Sequence, residues 1–178
     1  MSRNVAKYFI LTSLVFFLAG CLEGLMFPTK MMFQGLYSSL FQLAPDQVKP
    51  FFNNFVTKIH THINLMGWVG SALMGMLYFI APQIAGEDRT SPWAAYTNYA
   101  CNTAGVVVLA VGFHLTGHFG AGLPYESPEF RAATQPVKGV VILGGGLIFV
   151  SALFFVYNMG RTLLGAAPER ATALPHKV

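Results

Sequence analysis

The chain has 178 residues, of which 54% are hydrophobic and only 10% are charged, and its mean hydropathy is +0.52. A soluble domain usually carries about 25% charged residues. The composition therefore excludes a disordered or collagen-like chain, argues against a soluble enzyme, and predicts an integral membrane protein. The net charge of +4 is dispersed along the chain without a basic cluster, which argues against a nucleic-acid partner.

Four apolar segments are long enough to cross a hydrocarbon core, which takes ~20 helical residues. They cover residues 8–27, 62–82, 99–120 and 137–157. The first is longer than the apolar part of a typical signal peptide and lacks a convincing cleavage site, so we expect a retained helix. The sequence thus predicts an all-α, integral membrane four-helix bundle over residues 1–165, followed by a flexible tail at 166–178.

The connection between the first two spans also carries a helical pattern. Asp46 can cap a helix, and after it apolar residues recur at helical spacing, namely Val48, Phe51, Phe52, Phe55, Val56 and Ile59. We expect a short amphipathic interfacial helix that leads into the second span. Trp93, at the start of the third span, has the character of an interfacial anchor.

Lysine and arginine counts indicate an orientation. The two termini and the loop at 86–93 carry six of these residues, and the other side carries five. The positive-inside rule then favours both termini in the cytoplasm, and we expect a multi-pass protein of the prokaryotic cytoplasmic (inner) membrane.

Four histidines lie at the predicted ends of spans: His60, His62, His114 and His118. If the second span enters from outside and the third exits there, all four reach a similar depth. Ionisable groups inside a membrane are costly and tend to be functional or partnered. On a helix, His114 and His118 share a face, whereas His60 and His62 point about 160° apart.

A polar and small-residue face follows His60 at about 100° per residue, formed by Asn64, Gly67, Ser71, Gly75 and Tyr78. Small residues let a neighbouring helix approach, and they would equally make room for a flat macrocycle below a histidine ligand. One interpretation is therefore a haem b with His60 and either His114 or His118 as axial ligands. The other is a copper, zinc or non-haem iron site that uses the pairs H-x-H and H-x-x-x-H. The divergence of His60 from His62 disfavours the second, unless the helix begins after His62.

The segment IHTHINLMGWVGSALMGMLYFIAP at 59–82 resembles the second helix of haem-copper oxidase catalytic subunits. It is most similar to the cbb3-type oxidases and the related nitric oxide reductases. His60 and Thr61 begin the motif, a small-residue stretch at 70–73 continues it, and Tyr78 closes it. The segments GLPYESPEF and YNMGRTLLG are similar to the family's third-helix exit and fourth-helix end. The resemblance spans nearly the whole chain but only the first four helices of the family.

The resemblance implies that His60 is an axial ligand of the low-spin haem, and that Glu126, or else Glu129, helps to bind a calcium ion near the haem propionates. His62 stands where the family more often has Asn. The family's remaining haem and copper ligands lie in later helices, so we expect an electron-transfer subunit rather than a complete oxidase or reductase. The topology and spacing of His114 and His118 make one of them the expected second ligand.

Together these features predict a small membrane cytochrome b that passes electrons between a quinol, cytochrome c or another redox partner and a further protein. We expect a homodimer or a subunit of a respiratory complex, embedded in a lipid bilayer. The predicted cofactor-binding residues are His60, His114, His118, Asn64, Gly67 and Ser71, and the metal set adds His62 and Glu126. Two alternatives remain open: a haem-free accessory or assembly subunit, and a histidine-based copper or zinc protein.

Glu23, a carboxylate inside a span, is either neutral and hydrogen-bonded or part of a proton or quinol path.

Overall fold

A computed structural model describes residues 2–25 and 30–165, which form five helices. They are α1 (Ser2–Gly24), α2 (Lys30–Phe41), α3 (Pro45–Ala85), α4 (Pro92–Phe119) and α5 (Pro128–Leu164). All but α2 are long and apolar enough to cross a membrane. The predicted all-α four-helix architecture is confirmed. The end of the first predicted span, at 26–27, and the predicted tail lie outside the described residues.

The outer surface of the bundle is apolar, as a lipid-facing surface must be. On α5, side chains such as Phe149 and Val156 are 65% and 68% exposed. Burial of these groups against lipid replaces the burial that a soluble fold would need.

The predicted amphipathic segment is helical, and its six apolar side chains are all buried. It continues without a break into the second span, so it forms the first part of α3. The helix starts after Ala44, whose backbone N–H donates to the Gln47 side chain, and Asp46 lies in the first turn rather than at the cap. Helix α2, which the sequence pattern did not predict, packs on this part of α3 through Tyr37 and Phe41.

Two stretches of α3 are wound as π-helix, at Phe52–Val56 and Ile63–Gly70. The first follows Pro50, which has no N–H to donate to the preceding turn. The second lies directly after His60 and His62. Wider turns of this kind occur often at functional sites and change the direction of the residues that follow.

Close helix contacts depend on glycine. In the contact of α4 with α5, a Cβ added at Gly144 would lie only 2.6 Å from the backbone nitrogen of Leu109. In the contact of α1 with α3, one added at Gly75 would lie 3.1 Å from the carbonyl oxygen of Ala6. Small residues let helix backbones approach where lipid offers no hydrophobic drive for association.

Three buried asparagines join the helices through hydrogen bonds. Asn98 donates to the Ser151 hydroxyl at 2.7 Å, and Asn102 donates to the Ser71 hydroxyl at 2.9 Å. Asn158 accepts from the backbone N–H of Ser91 at 2.9 Å. Each bond connects two different helices or a helix and a loop, so these bonds fix the register of the bundle.

The end of the bundle that holds Ser2 is closed by the connection between α3 and α4. Asp88 accepts from the backbone N–H groups of Ser2 and Thr90, each at 3.1 Å. Burial would raise the pKa of Asp88, but these hydrogen bonds outweigh it and hold that pKa well below its usual range. The carboxylate thereby joins the start of α1 to the turn before α4.

Candidate functional site

The candidate site lies at the opposite end of the bundle, where α1 and α4 end and α3 passes between them. His60 of α3 faces α1: its Nδ1 lies 3.9 Å from Oε2 of Glu23. The two side chains are 29% and 17% exposed. A Cβ added at Gly24 would lie 3.5 Å from Cε1 of His60, so the last residue of α1 lies against the ring.

Asn64, one turn after His60 on α3, forms hydrogen bonds with His60. Its side-chain amide donates to the carbonyl oxygen of His60 at 2.8 Å and lies 3.3 Å from Nδ1. Among the residues described, Oε2 of Glu23 is a buried oxygen without a hydrogen-bond partner. An acceptor without a donor therefore stands beside the imidazole, where a proton on the ring could satisfy it.

His62 points in a different direction from His60. Its Nδ1 lies 2.7 Å from the carbonyl oxygen of Lys58, and its ring centroid is 5.0 Å from that of Phe113 on α4. The helix starts at Pro45, well before His62, so the condition under which the two could share one ion is not met. Within the described parts of the chain, no group of three or more His, Cys, Asp or Glu could hold a metal ion.

His114 and His118 lie one turn apart near the end of α4, and both residues are exposed. The His118 ring is 5.6 Å from that of Phe41, on α2. The described contacts of His60 and of His118 therefore lie on different helices. A haem bridging His60 and one of these histidines remains a prediction.

The polar face below His60 is occupied by neighbouring helices. Asn64 packs against Gly20 of α1, and Gly67 packs against Phe16 of α1. Ser71 is fully buried and accepts from Asn102 of α4. Of the three residues other than histidine that were predicted to bind the cofactor, only Asn64 therefore adjoins the imidazole, while Gly67 and Ser71 lie in the packing of α3 against α1 and α4.

Glu126 lies at the other side of α3, at the rim of a cavity of about 500 Å³ that Lys58, Arg131 and Lys138 also line. Its backbone φ is 63°, in the left-handed region. Calcium prefers six to eight oxygen ligands, and this rim supplies cations instead. The calcium role of Glu126 and Glu129 stays a prediction.

The contact of Glu23 with His60 was not predicted, although the sequence contained a signal for it. Glu23 is a carboxylate inside the first span, and it lies near the end at which the second span begins with His60. Adjacent antiparallel spans bring such positions to the same depth. The spacing of Gly20 and Gly24, one turn apart on α1, matches that of Asn64 and His60 on α3.

Comparison with known proteins assigns the fold to a family. The family model described as cytochrome c and quinol oxidase polypeptide I matches residues 4–175. The chain belongs to this oxidase subunit I family. The resemblance of residues 59–82 to haem-copper oxidase subunits is thereby confirmed. Membership makes the chain a multi-pass inner-membrane protein of a haem-binding, respiratory electron-transport family.

Two curated relatives illustrate the similarity to oxidase subunit I. The cbb3-type cytochrome c oxidase subunit CcoN1 of Stutzerimonas stutzeri is 27% identical over 125 residues, which cover 64% of this chain and 26% of that protein. The cytochrome c oxidase subunit 1 homolog of Agrobacterium tumefaciens (strain T37) is 29% identical over 125 residues, covering 64% of this chain and 23% of that protein. The aligned part thus spans about a quarter of the length of these relatives.

Proposed function

We propose that this member of the oxidase subunit I family is a membrane cytochrome subunit. It binds one haem b through His60 and passes electrons between a quinol or another redox partner and a further protein of a respiratory complex. The observation that carries the proposal is the partly exposed imidazole of His60, which stands 3.9 Å from an oxygen of Glu23 that has no hydrogen-bond partner among the described residues.

The surroundings of His60 fit a ligand to iron. Histidine ligands almost always donate their second ring N–H to a carboxylate, a carbonyl or water, which fixes the ring and raises its basicity. Glu23 stands on the Nδ1 side of the ring, so in this proposal Nε2 is the nitrogen that binds iron, and the Asn64 amide nitrogen, 3.5 Å from Nε2, would have to turn away. Gly24 lies against Cε1 of the ring. When bound, the haem supplies one-electron chemistry at a potential set by its ligands and its surroundings.

The second axial ligand in this proposal is His114 or His118. Both are imidazoles near the end of α4, at the same end of the bundle as His60. Because both residues are exposed, they are open to a cofactor or to a second chain. Four spans form a thin shell around a haem, so we propose that the subunit works as a homodimer or docked in a larger complex.

The experiment is a visible spectrum of the purified protein, expressed with ample haem, with a pyridine haemochrome assay. We expect a six-coordinate, low-spin haem b spectrum. His60→Ala removes bound haem, and one of His114→Ala and His118→Ala converts it to a high-spin form. His62→Ala is the matched control, since His62 faces Phe113 on α4, and it keeps the spectrum. Absence of haem from the wild-type protein refutes the proposal.

A haem-free accessory subunit is the second candidate. It is favoured by the close packing of Gly67 against Phe16 and of Ser71 against Asn102, which fills the face below His60 with protein. Under this alternative, His60→Ala leaves both the assembly and the spectrum of the parent complex unchanged.

We also propose that both termini face the cytoplasm. The support is the count of six lysines and arginines on that side against five on the other. Fusion of a fluorescent protein to the C-terminus should give fluorescent cells, whereas an alkaline phosphatase fusion there should be inactive. The reverse pattern contradicts this orientation.

A further inference from the structure

The cavity whose rim holds Glu126 lies on the side of α3 that faces α4 and α5, away from Glu23. Its volume is about 500 Å³, within the range of small-molecule sites. Aromatic and aliphatic side chains form the floor, including Phe55, Phe113, Phe130 and Val141. None of the four clustered histidines lines it.

Three cations form the rim of this cavity. Arg131 and Lys138 lie seven residues apart on α5, which places both on one face of the helix, and both residues are exposed. Lys58, on α3, is held in place by Tyr125: its Nζ donates to the phenol oxygen at 2.8 Å and lies 5.0 Å from the ring centroid.

The rim of the cavity carries a net positive charge. Among the described residues that line the cavity, Glu126 is the one carboxylate, against three cations. Among the described residues, the ion pairs join His60 to Glu23 and Arg89 to Glu87, so Glu126 neutralises none of the three cations by a direct pair. A net positive rim selects an anionic group, and arginine presents a fork of donors that suits phosphate.

The cavity extends from the level of the lipid headgroups toward the hydrocarbon core. Lys138 directly precedes the apolar stretch of α5, and Lys58 precedes the apolar stretch of α3. The cations therefore lie at the level of lipid headgroups, while Phe113 and Val141 lie toward the hydrocarbon. A ligand that fits both levels has an anionic head and an apolar body. A neutral quinol fits the floor but leaves the cations unused.

We propose that this cavity binds the phosphate headgroup of an anionic phospholipid through Lys58, Arg131 and Lys138, with its acyl chains along the aromatic floor. Each basic residue near an anionic membrane surface contributes roughly fivefold in affinity. Removal of two of them should therefore weaken lipid binding by about 25-fold.

The test uses the full chain purified in detergent, with lipid binding followed by native mass spectrometry and by thermal unfolding. Phosphatidylglycerol should bind the wild-type protein and raise its unfolding temperature, whereas phosphatidylcholine and inorganic phosphate should do so far less. The variant R131Q/K138Q should lose this preference. The matched control is R3Q/K7Q, which removes two exposed positive charges at the opposite end of the bundle and should behave as the wild type.

Several outcomes would overturn the proposal. Equal binding of phosphatidylcholine shows a site without charge selection, and an equal effect of inorganic phosphate shows a site for the free ion. Displacement of phosphatidylglycerol by a quinone assigns the cavity to a quinol. If R131Q/K138Q does not fold, salt replaces it as the test, since the Debye length falls from about 10 Å to about 3 Å between 0.1 and 1 M. Binding that does not weaken over that range contradicts the proposal.

Discussion

Oε2 of Glu23 lies 3.9 Å from Nδ1 of His60, across the contact between α1 and α3. The carboxylate is the more buried partner, and this oxygen has no hydrogen-bond donor in the described part of the chain. Because a carboxylate beside an axial histidine tunes the bound metal, this pair gives the proposed haem site a property that can be measured.

We expect Glu23→Gln to raise the reduction potential of the bound haem. The shift requires Glu23 to be ionised: its negative charge next to the ligand then favours the more positive, ferric form, and the amide removes that charge while keeping the shape. A shift on the order of 30–60 mV is expected, since 59 mV is a tenfold change for one electron. A spectroscopic redox titration measures it. Glu87→Gln, at the other end of the bundle, removes the same charge as a control, and a Glu23→Gln potential equal to that of the control contradicts this role.

Gly144→Ala should destabilise the bundle. The added Cβ would lie 2.6 Å from the backbone nitrogen of Leu109, so α4 and α5 must move apart. Overpacking of this kind typically costs 1–3 kcal/mol. Gly145→Ala is a closely matched control, because nothing lies within 4 Å of its Cβ position. Thermal unfolding in detergent should separate the two variants, and equal unfolding temperatures would show that the contact is not close in solution.

The bond between Asn102 and Ser71 should give a positive coupling energy in a double-mutant cycle. Its length is 2.9 Å and both residues are buried. Hydrogen bonds between membrane helices average about 0.6 kcal/mol in such cycles. The cycle combines Asn102→Ala with Ser71→Ala, read by unfolding in detergent. A parallel cycle with Thr103→Ala, whose hydroxyl has no partner in the described residues, should give a coupling near zero.

Asp88→Asn should lower stability at neutral pH and leave it unchanged in acid. Hydrogen bonds from Ser2 and Thr90 depress the pKa of Asp88 despite its partial burial. A depressed folded-state pKa gives stability that is present above the unfolded pKa of about 3.9 and is lost as the pH falls through the folded pKa. We expect a loss of about 1 kcal/mol at pH 7, as for a helix cap.

Unfolding temperatures measured from pH 7 down to about pH 2 check this expectation, because the loss begins near the unfolded pKa of about 3.9 and continues toward the lower folded pKa. The difference between the wild type and Asp88→Asn should shrink toward the acid end. Glu87→Gln serves as the control, because the ion pair of Glu87 with Arg89 is partly exposed and such pairs contribute little. A difference between the wild type and Asp88→Asn that is constant with pH would show that the charge of Asp88 plays no part.

Local patterns in the sequence predicted much of this fold. The length of apolar segments identified four spans, and helical spacing identified the buried stripe from Val48 to Ile59, because both signals depend only on nearby residues. The predicted ends of the spans also placed His60 and His118 at the same end of the bundle. These signals did not predict α2, nor that Glu23 lies against His60, because contacts between helices depend on how whole helices pack.

The face below His60 shows a second limit. The predicted face from His60 to Tyr78 requires a regular helix that turns about 100° per residue. In the structure, Ile63–Gly70 is wound as π-helix instead. Irregular winding has no simple signal in the sequence. The small residues of that face were predicted to admit either a neighbouring helix or a macrocycle, and Gly67 and Ser71 lie in helix contacts within the chain.

Helix α3, which contains the π-helical turns, contacts both α1 and α4. Over a single run of backbone, His60 meets Glu23 of α1 and Ser71 meets Asn102 of α4. Deleting one residue between them in a regular helix would rotate one relative to the other by about 100°, and only one contact could survive. The direction of the His60 imidazole therefore depends on the winding of α3 as well as on the histidine itself.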